Sequence, residues 1–288
     1  MSYPLVPRRS FMRAALAGGA ALLGGCSAFS AVNAFVPSDT YRRTRDIAYG
    51  DHARHLLDVY EPAQAHNGAP VVVFFYGGNW NMGERGNYVF AGEALASQGF
   101  VTVIPDYRLY PEVRFPDFLH DCAAAVRWTA ENAARFGGDP QRIFVMGHSS
   151  GAYNAAMLAL DPQYLAAARV PKRSIRGLIG LAGPYDFLPL TGPVSKAVFG
   201  FPNTPVTTQP IHFVTRDDPP ALLITGTNDN VVDPGNVRRL ATRLRSNGVE
   251  VREIAYPGLG HSRLVGALAA PLRGTAPVLE DVAAFVRA

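Results

Sequence analysis

The sequence predicts an α/β fold: a mostly parallel central sheet covered by helices on both faces. Three observations carry that prediction. Short Val/Ile-rich runs alternate with helical patterns from residue 56 to the C-terminus. Runs that are apolar throughout, without alternation, belong to strands buried on both faces, which is the condition of a parallel sheet. The 288 residues are 48% hydrophobic and 17% charged, which suits one large domain with a substantial core. The glycine-rich motifs also fall just after apolar runs, at the sheet edge where open α/β folds bind ligands.

In chain order, the strands expected are "LLDVY" (56–60), "VVVFF" (71–75), "VTVI" (101–104), "IFVM" (143–146), "GLIGLA" (177–182), "ALLIT" (221–225) and "VEVREIAY" (249–256). Helical patterns lie near 85–98, 117–136, 150–160, 234–247 and 276–287. Residues 183–220 break the alternation with several prolines and the aromatics Tyr185, Phe187, Phe199, Phe201 and Phe213. A connection that long inside a compact domain is usually functional, and a lid-like insertion is expected.

The N-terminus reads as an export signal over residues 1–25. "PRRSFMRAALAGGAALLGGC" has a basic start, an apolar stretch from Ala14 to Leu23 and small residues before Cys26, too short for a membrane span. "RRSFMR" resembles a twin-arginine export motif. Leu23-Gly24-Gly25-Cys26 resembles a bacterial lipobox, so Cys26 is the expected lipidation site and new N-terminus. This implies an exported protein tethered to a membrane of the cell envelope, on the periplasmic side of a bacterial cell. Residues 26–45 read as a tether and 46–288 as the domain. The formal charge of +4 includes Arg8, Arg9 and Arg13; without them it is +1, and no nucleic-acid partner is implied. Cys122 would be the only cysteine left in the mature chain, which rules out an intrachain disulfide and suggests a small core residue.

The most informative stretch is "RIFVMGHSSGAYNA", Arg142 to Ala155. Glycines at 147 and 151 flank Ser149 at a spacing of two, the form of a G-x-S-x-G nucleophile elbow, in which a strained strand-to-helix turn exposes the middle serine. Ser149 is then the nucleophile, and the backbone amide of Ser150 faces the reacting carbonyl. The competing reading is a glycine-rich turn whose serines cap a helix.

A serine hydroxyl needs a base within hydrogen-bond reach. Of the seven histidines, His52, His55 and His66 lie near the N-terminal strands, His120 is mid-helix and His212 sits in the irregular segment. The "HARH" pair has no cysteine or carboxylate cluster beside it in sequence and reads as surface, not metal. His148 is expected to point away. His261, in "YPGLGHS" after the last apolar run, is placed to act as base. Asp229, directly after "ALLIT", is the favoured acid to orient it. Asp233, which resembles a helix cap before Pro234, and Asp186, after the preceding strand, remain rivals.

Ser149, Asp229, His261 is also the chain order of the α/β-hydrolase fold. From about residue 50 onward the chain resembles the α/β-hydrolase serine esterases, with the lipase/esterase and arylformamidase-like branches closest. "VVVFFYGGNW" resembles the HGGxW oxyanion motif. "VIPDYRLYPEVRFPDFLHDCAAAVRW" resembles the DYRL-x-PE…FP segment that follows it, and "GTNDNVV…YPGLGH" the acid and base loops. Tyr76 stands where the family has histidine, and Asn79 where lipase-like sequences carry a third glycine. The resemblance implies an oxyanion hole made by the amides of Gly77, Gly78 and Ser150, and substrate contacts from Trp80, Tyr185, Phe187 and Phe199. Asp106, Arg108 and Asp121 are expected to form ion pairs that brace the loops. It further implies hydrolysis of short-chain carboxylic esters through an acyl-enzyme, with no cofactor or metal. The alternatives are an arylformamidase-like amidase, or a surface-anchored, non-catalytic binding domain on the same scaffold.

Overall fold

The computed structural model describes residues 31–64 and 67–288; the twin-arginine and lipobox segments, Cys26 included, and His66 lie outside them. Eight strands form one sheet, β1 (Tyr41–Ala48), β2 (Leu56–Pro62), β3 (Ala69–Phe75), β4 (Val101–Pro105), β5 (Gly138–His148), β6 (Ile175–Leu181), β7 (Ala221–Gly226) and β8 (Val251–Tyr256). Their spatial order is β1-β2-β4-β3-β5-β6-β7-β8. The pairs β1–β2 and β2–β4 are antiparallel, and every later pair is parallel. The helices that connect them are α1 (Val89–Ser97), α2 (Asp117–Asn132), α3 (Ser150–Leu160), α4 (Pro162–Ala167), α5 (Pro193–Val198), α6 (Gly235–Ser246), α7 (His261–Gly266) and α8 (Val278–Arg287).

The central strands owe their place to being apolar on both faces. Val71, Val72, Val73, Phe74 and Phe75 are all buried, as are Ile143, Val145 and Met146 beside them. Helix α3 runs across the middle of the sheet and is buried along its whole length. Helix α6, by contrast, buries Val237, Leu240, Ala241 and Leu244 and exposes Arg238, Arg243 and Arg245, the stripe of a surface helix.

Two differences from the sequence reading have plain physical causes. The sheet begins at Tyr41, inside the stretch expected as a tether. Strand β1, "YRRTRDIA", is an edge strand with most side chains in water, so it carries no apolar run. A bulge between Thr44 and Ile47 places Asp46 in the left-handed region, and its amide donates to the Asp58 carboxylate at 2.9 Å. Upstream of it, Asn33 also docks on the domain through the carbonyls of Gly86 and Asn87 and the amide of Phe90. The second difference is in residues 183–220, which carry short helical elements of their own. They contain α5 and two short 3₁₀ turns; the Thr208 carbonyl accepts from the Tyr153 hydroxyl on α3, and the Gln209 side chain accepts from the Phe187 amide within the segment.

The strand switch places the ligand edge. The chain goes from β3 through α1 to β4, then returns past β3 through α2 to β5. The loops leaving β3 and β5 therefore diverge and leave a crevice at their carboxyl ends.

One pin holds the far side of this architecture. Glu93 on α1 is fully buried; it accepts from Thr40 Oγ1 at 2.9 Å and from the Arg273 guanidinium. Glu93→Ala leaves that cation unpaired and is expected to lower the unfolding free energy by about 3 kcal/mol. Urea denaturation, with an unchanged m-value, checks this.

Candidate active site

The turn after β5 is held by close backbone contacts that only glycine permits. A Cβ on Gly147 would lie 2.2 Å from the Gly151 carbonyl oxygen, and one on Gly151 would lie 2.0 Å from that of Phe75 at the end of β3. Between them Ser149 has φ 55° and ψ −125°, strained for a residue with a side chain. Its amide donates to the Leu181 carbonyl, while its own carbonyl accepts from Ala152 and Tyr153 as α3 starts. This is the elbow geometry, and it answers the competing reading: Ser149 makes no side-chain cap of α3.

The loop after β3 is equally constrained. Gly78, Asn79 and Trp80 all have positive φ, at 146°, 52° and 58°. A Cβ on Gly78 would meet the Met82 carbonyl oxygen at 2.0 Å; one on Gly77 would sit 3.0 Å from Ser149 Cβ. The amides of Gly77, Gly78 and Ser150 donate to nothing among the described residues. Asn79, rather than the two glycines, lines the cleft beside Ser149, Ser150 and Trp80. Asn79 takes the left-handed backbone of this loop although it stands where lipase-like sequences carry a glycine. Behind the loop, the question raised by Tyr76 has a direct answer. Arg54 Nη2 donates to the Tyr76 hydroxyl at 2.8 Å and to the Gly83 carbonyl at 2.9 Å, while its Nε donates to the Tyr107 carbonyl. Tyr107 stacks on Tyr76 at 4.8 Å and donates its hydroxyl to the Tyr76 carbonyl.

The acid and base loops are cross-linked to each other. Asn228 donates its amide to the Leu259 carbonyl at 2.9 Å, and a Cβ on Gly226 would collide with that same carbonyl. Asp229 Oδ1 accepts from the amides of Val231 and Val232, both at 2.9 Å, and Oδ2 lies 2.7 Å from His261 Nδ1. Burial alone would raise the Asp229 carboxyl; the His261 hydrogen bond and charge, with the two amides, outweigh it and hold it below the usual carboxylate range. An ionised Asp229 only accepts, so the proton between the pair is on His261 Nδ1. The rival acids are otherwise engaged. Asp186 pairs with Arg239 at 2.7 Å, and Asp233 accepts from the Gly235 amide at the start of α6.

His148 does not point away, as the sequence suggested. It is buried against His261, with ring centroids 4.7 Å apart and Nε2 3.2 Å from the His261 carbonyl oxygen. A carbonyl only accepts, so Nε2 of His148 carries the proton. Burial, then the neighbouring His261, push this imidazole well below its ordinary value, so it stays neutral. No sequence signal marks the contact, because the two residues are 113 positions apart.

The crevice has a volume of about 600 Å³ and runs from Ser149 between the β3 loop and the 183–220 segment. One side is apolar, with Trp80, Phe187 and Leu190; the other ends at Asp186, Arg239 and Asn236. Of the four expected substrate contacts, Trp80 and Phe187 line it. Tyr185 does not: it is fully buried under β6, where its hydroxyl fills the space that a Gly180 Cβ would need. Phe199 also stands back, edge-on to Trp80 at 4.8 Å, as support for the wall. The expected bracing pairs are redistributed. Arg108 clamps Asp121 through Nε and Nη2, whereas Asp106 is taken by Arg85, which also bonds Asp58. His52 and His55 face Glu112 and Asp121 instead of open solvent.

Fold and site together define an α/β-hydrolase with a strained serine turn, a paired acid and base, and a glycine-rich loop at the switch point. The BD-FAE family model matches residues 57–244, well over half the chain, and the chain belongs to that family. Esterase LipC of Mycobacterium tuberculosis is 33% identical over 243 residues, covering 77% of this chain and 60% of LipC. The probable isoprenylcysteine alpha-carbonyl methylesterase ICMEL1 of Arabidopsis thaliana is 28% identical, covering 91% and 60%. The chain thus spans about 60% of the length of these curated relatives. A truncated carbohydrate esterase from gut microbiota superposes with a TM-score of 0.75 at 23% identity, covering 87% of this chain and 97% of that one, which establishes the shared fold.

The buried neutral His148 has a consequence for stability. The unfolded chain takes up a proton at the ordinary value of 6.5, the folded chain only well below it, so stability is full above that pH and falls as pH drops. His148→Gln, which keeps a donor for the His261 carbonyl but does not titrate, is expected to flatten this loss by about 1.4 kcal/mol per pH unit below 6.5. Thermal unfolding from pH 7.5 to 5 compares the two slopes.

Proposed function

We propose that the protein is a serine esterase that hydrolyses short-chain carboxylic esters through an acyl-enzyme. The observation that carries this reading is the 2.7 Å His261–Asp229 pair, with His261 packed on His148, the residue before a serine held at φ 55° on a glycine-packed turn. The relatives bearing the names esterase and methylesterase support the bond type.

In this mechanism Ser149 Oγ attacks the ester carbonyl as His261 Nε2 takes its proton. Asp229 holds the ring by Nδ1–H and stabilises the imidazolium. The amides of Gly77, Gly78, Asn79 and Ser150 are the available donors for the oxyanion, each worth about 2.7–4 kcal/mol of barrier in acyl transfer. His261 then returns the proton to the leaving alcohol, water repeats the attack, and the acid leaves. Trp80 and Phe187 enclose a compact apolar space suited to short acyl groups.

The Cys26 anchor is part of the same proposal and rests on the sequence of residues 8–26 alone. Lipidation there would hold the domain at the cell envelope. Intact mass of the mature protein tests it: an N-terminus upstream of residue 26 without lipid overturns the lipoprotein reading.

Activity assays test the chemistry. Ser149→Ala is expected to abolish both p-nitrophenyl acetate turnover and fluorophosphonate labelling while the fold is retained. Asp229→Asn should lose about 10⁴-fold in kcat, and Asp186→Asn far less. Rates should be high on acetate and butyrate esters and fall steeply beyond medium chains. Equal or higher kcat/KM on palmitoyl esters or N-formyl arylamines would overturn the short-chain ester reading.

A further inference from the structure

Trp80 is the one cleft-lining side chain that is both large and set by a strained backbone. It follows two other residues of positive φ, and its own φ of 58° is a conformation a bulky residue rarely adopts. The loop's own preferences therefore do not decide where the indole goes. Aromatic contacts narrow the choice: Phe187 stacks on it at 6.2 Å, and Tyr153 and Phe199 meet it edge-on at 5.2 and 4.8 Å. Such contacts are apolar and tolerate sliding. The directional contact is different. Trp80 Nε1 donates to Asn154 Oδ1 at 3.0 Å, in a bond buried on both sides.

Asn154 is an unusual residue for its position. It lies one turn into α3, five residues after Ser149, and is fully buried in a helix whose other residues are mostly apolar. A buried polar side chain in such a helix needs a partner, and so does a buried indole N–H; each supplies the other's. Asn154 Nδ2 is buried with no hydrogen-bond partner among the described residues, so the bond to the indole is the directed contact that its side chain makes.

We propose that Asn154 is a specificity-determining residue that acts through Trp80, locking the indole as a wall of the cleft and so limiting the group admitted beside Ser149. Asn154 touches no substrate in this scheme; it is a positioning residue. It fixes the loop after β3 to the helix that starts at the elbow, so wall and nucleophile share one frame. Without its acceptor the indole N–H is left buried and unpaired, and the side chain leaves that position to find one. The space it vacates accepts a longer chain.

This inference rests on Ser149 being the nucleophile, and the experiment separates the two. Wild type, Asn154→Leu, Trp80→Phe and the double variant are each titrated with a fluorophosphonate probe, then assayed on p-nitrophenyl acetate and hexanoate. Leucine is similar in size and has no acceptor, whereas phenylalanine needs none. Asn154→Leu is expected to raise the hexanoate-to-acetate ratio of kcat/KM at least fivefold. In the Trp80→Phe background it should change that ratio less than twofold, because the group it acts through is gone. Should Asn154→Leu fail to fold, Asn154→Ser, whose hydroxyl is too short to reach the indole, is read in the same way. An equal fall on both substrates, or the same factor in both backgrounds, overturns the role of Asn154. Failure of the probe to label wild type at Ser149 removes the nucleophile and this inference with it.

Discussion

Everything at this site depends on how closely two backbones approach where β3 and β5 end. The Phe75 carbonyl lies so near Gly151 that no side chain fits between them, and Gly147 is pressed in the same way against Gly151. The contact forces the chain to leave β5 by a sharp, strained turn and to enter α3 at once. It also brings the Gly77 backbone to the Cβ of Ser149. One steric constraint thus sets the serine, the start of the helix and the position of the amide-bearing loop together. The apolar strands beneath supply the rigidity that holds a strained residue in place.

The remaining parts are tied to that contact by polar links drawn from distant segments. Arg54, from the turn between β1 and β2, reaches Tyr76 and Gly83 on both limbs of the oxyanion loop. The aromatic pair Tyr76 and Tyr107 fills the space behind it. On the other flank, His148 donates to the backbone of His261, and Asn228 ties the acid loop to the base loop. The Arg54, Tyr107 and His148 links are buried or half-buried, where a directed hydrogen bond is worth more than in water and a missing one costs more.

Much of this was legible in the sequence, for reasons that can be named. Strands such as "VVVFF" and "ALLIT" are apolar on both faces and therefore conspicuous. The elbow is legible because its two glycines and its serine fall within five residues directly after an apolar strand, and Asp229 and His261 because each follows a strand at the ligand edge. The edge strand β1 was not, since a strand with most side chains in water looks like any polar segment. Tyr185 and Phe199 could not be told from pocket residues, because burial in the core and burial in a cleft select the same side chains. The contacts of His148 and Arg54 were invisible for a different reason: their partners lie far along the chain, and a single sequence does not record which distant segments meet.

The family model spans 57–244, and that span omits two things the site needs. Arg54, which braces the oxyanion loop, lies before it; β8 and His261 lie after it. A fragment cut to those limits would keep the serine turn but lose His261 and Arg54, along with both outer strands of the sheet. The module defined by resemblance is therefore smaller than the folded unit that holds the site together. In any graft, split or fusion of this fold, the severable unit runs from before Tyr41 to α8.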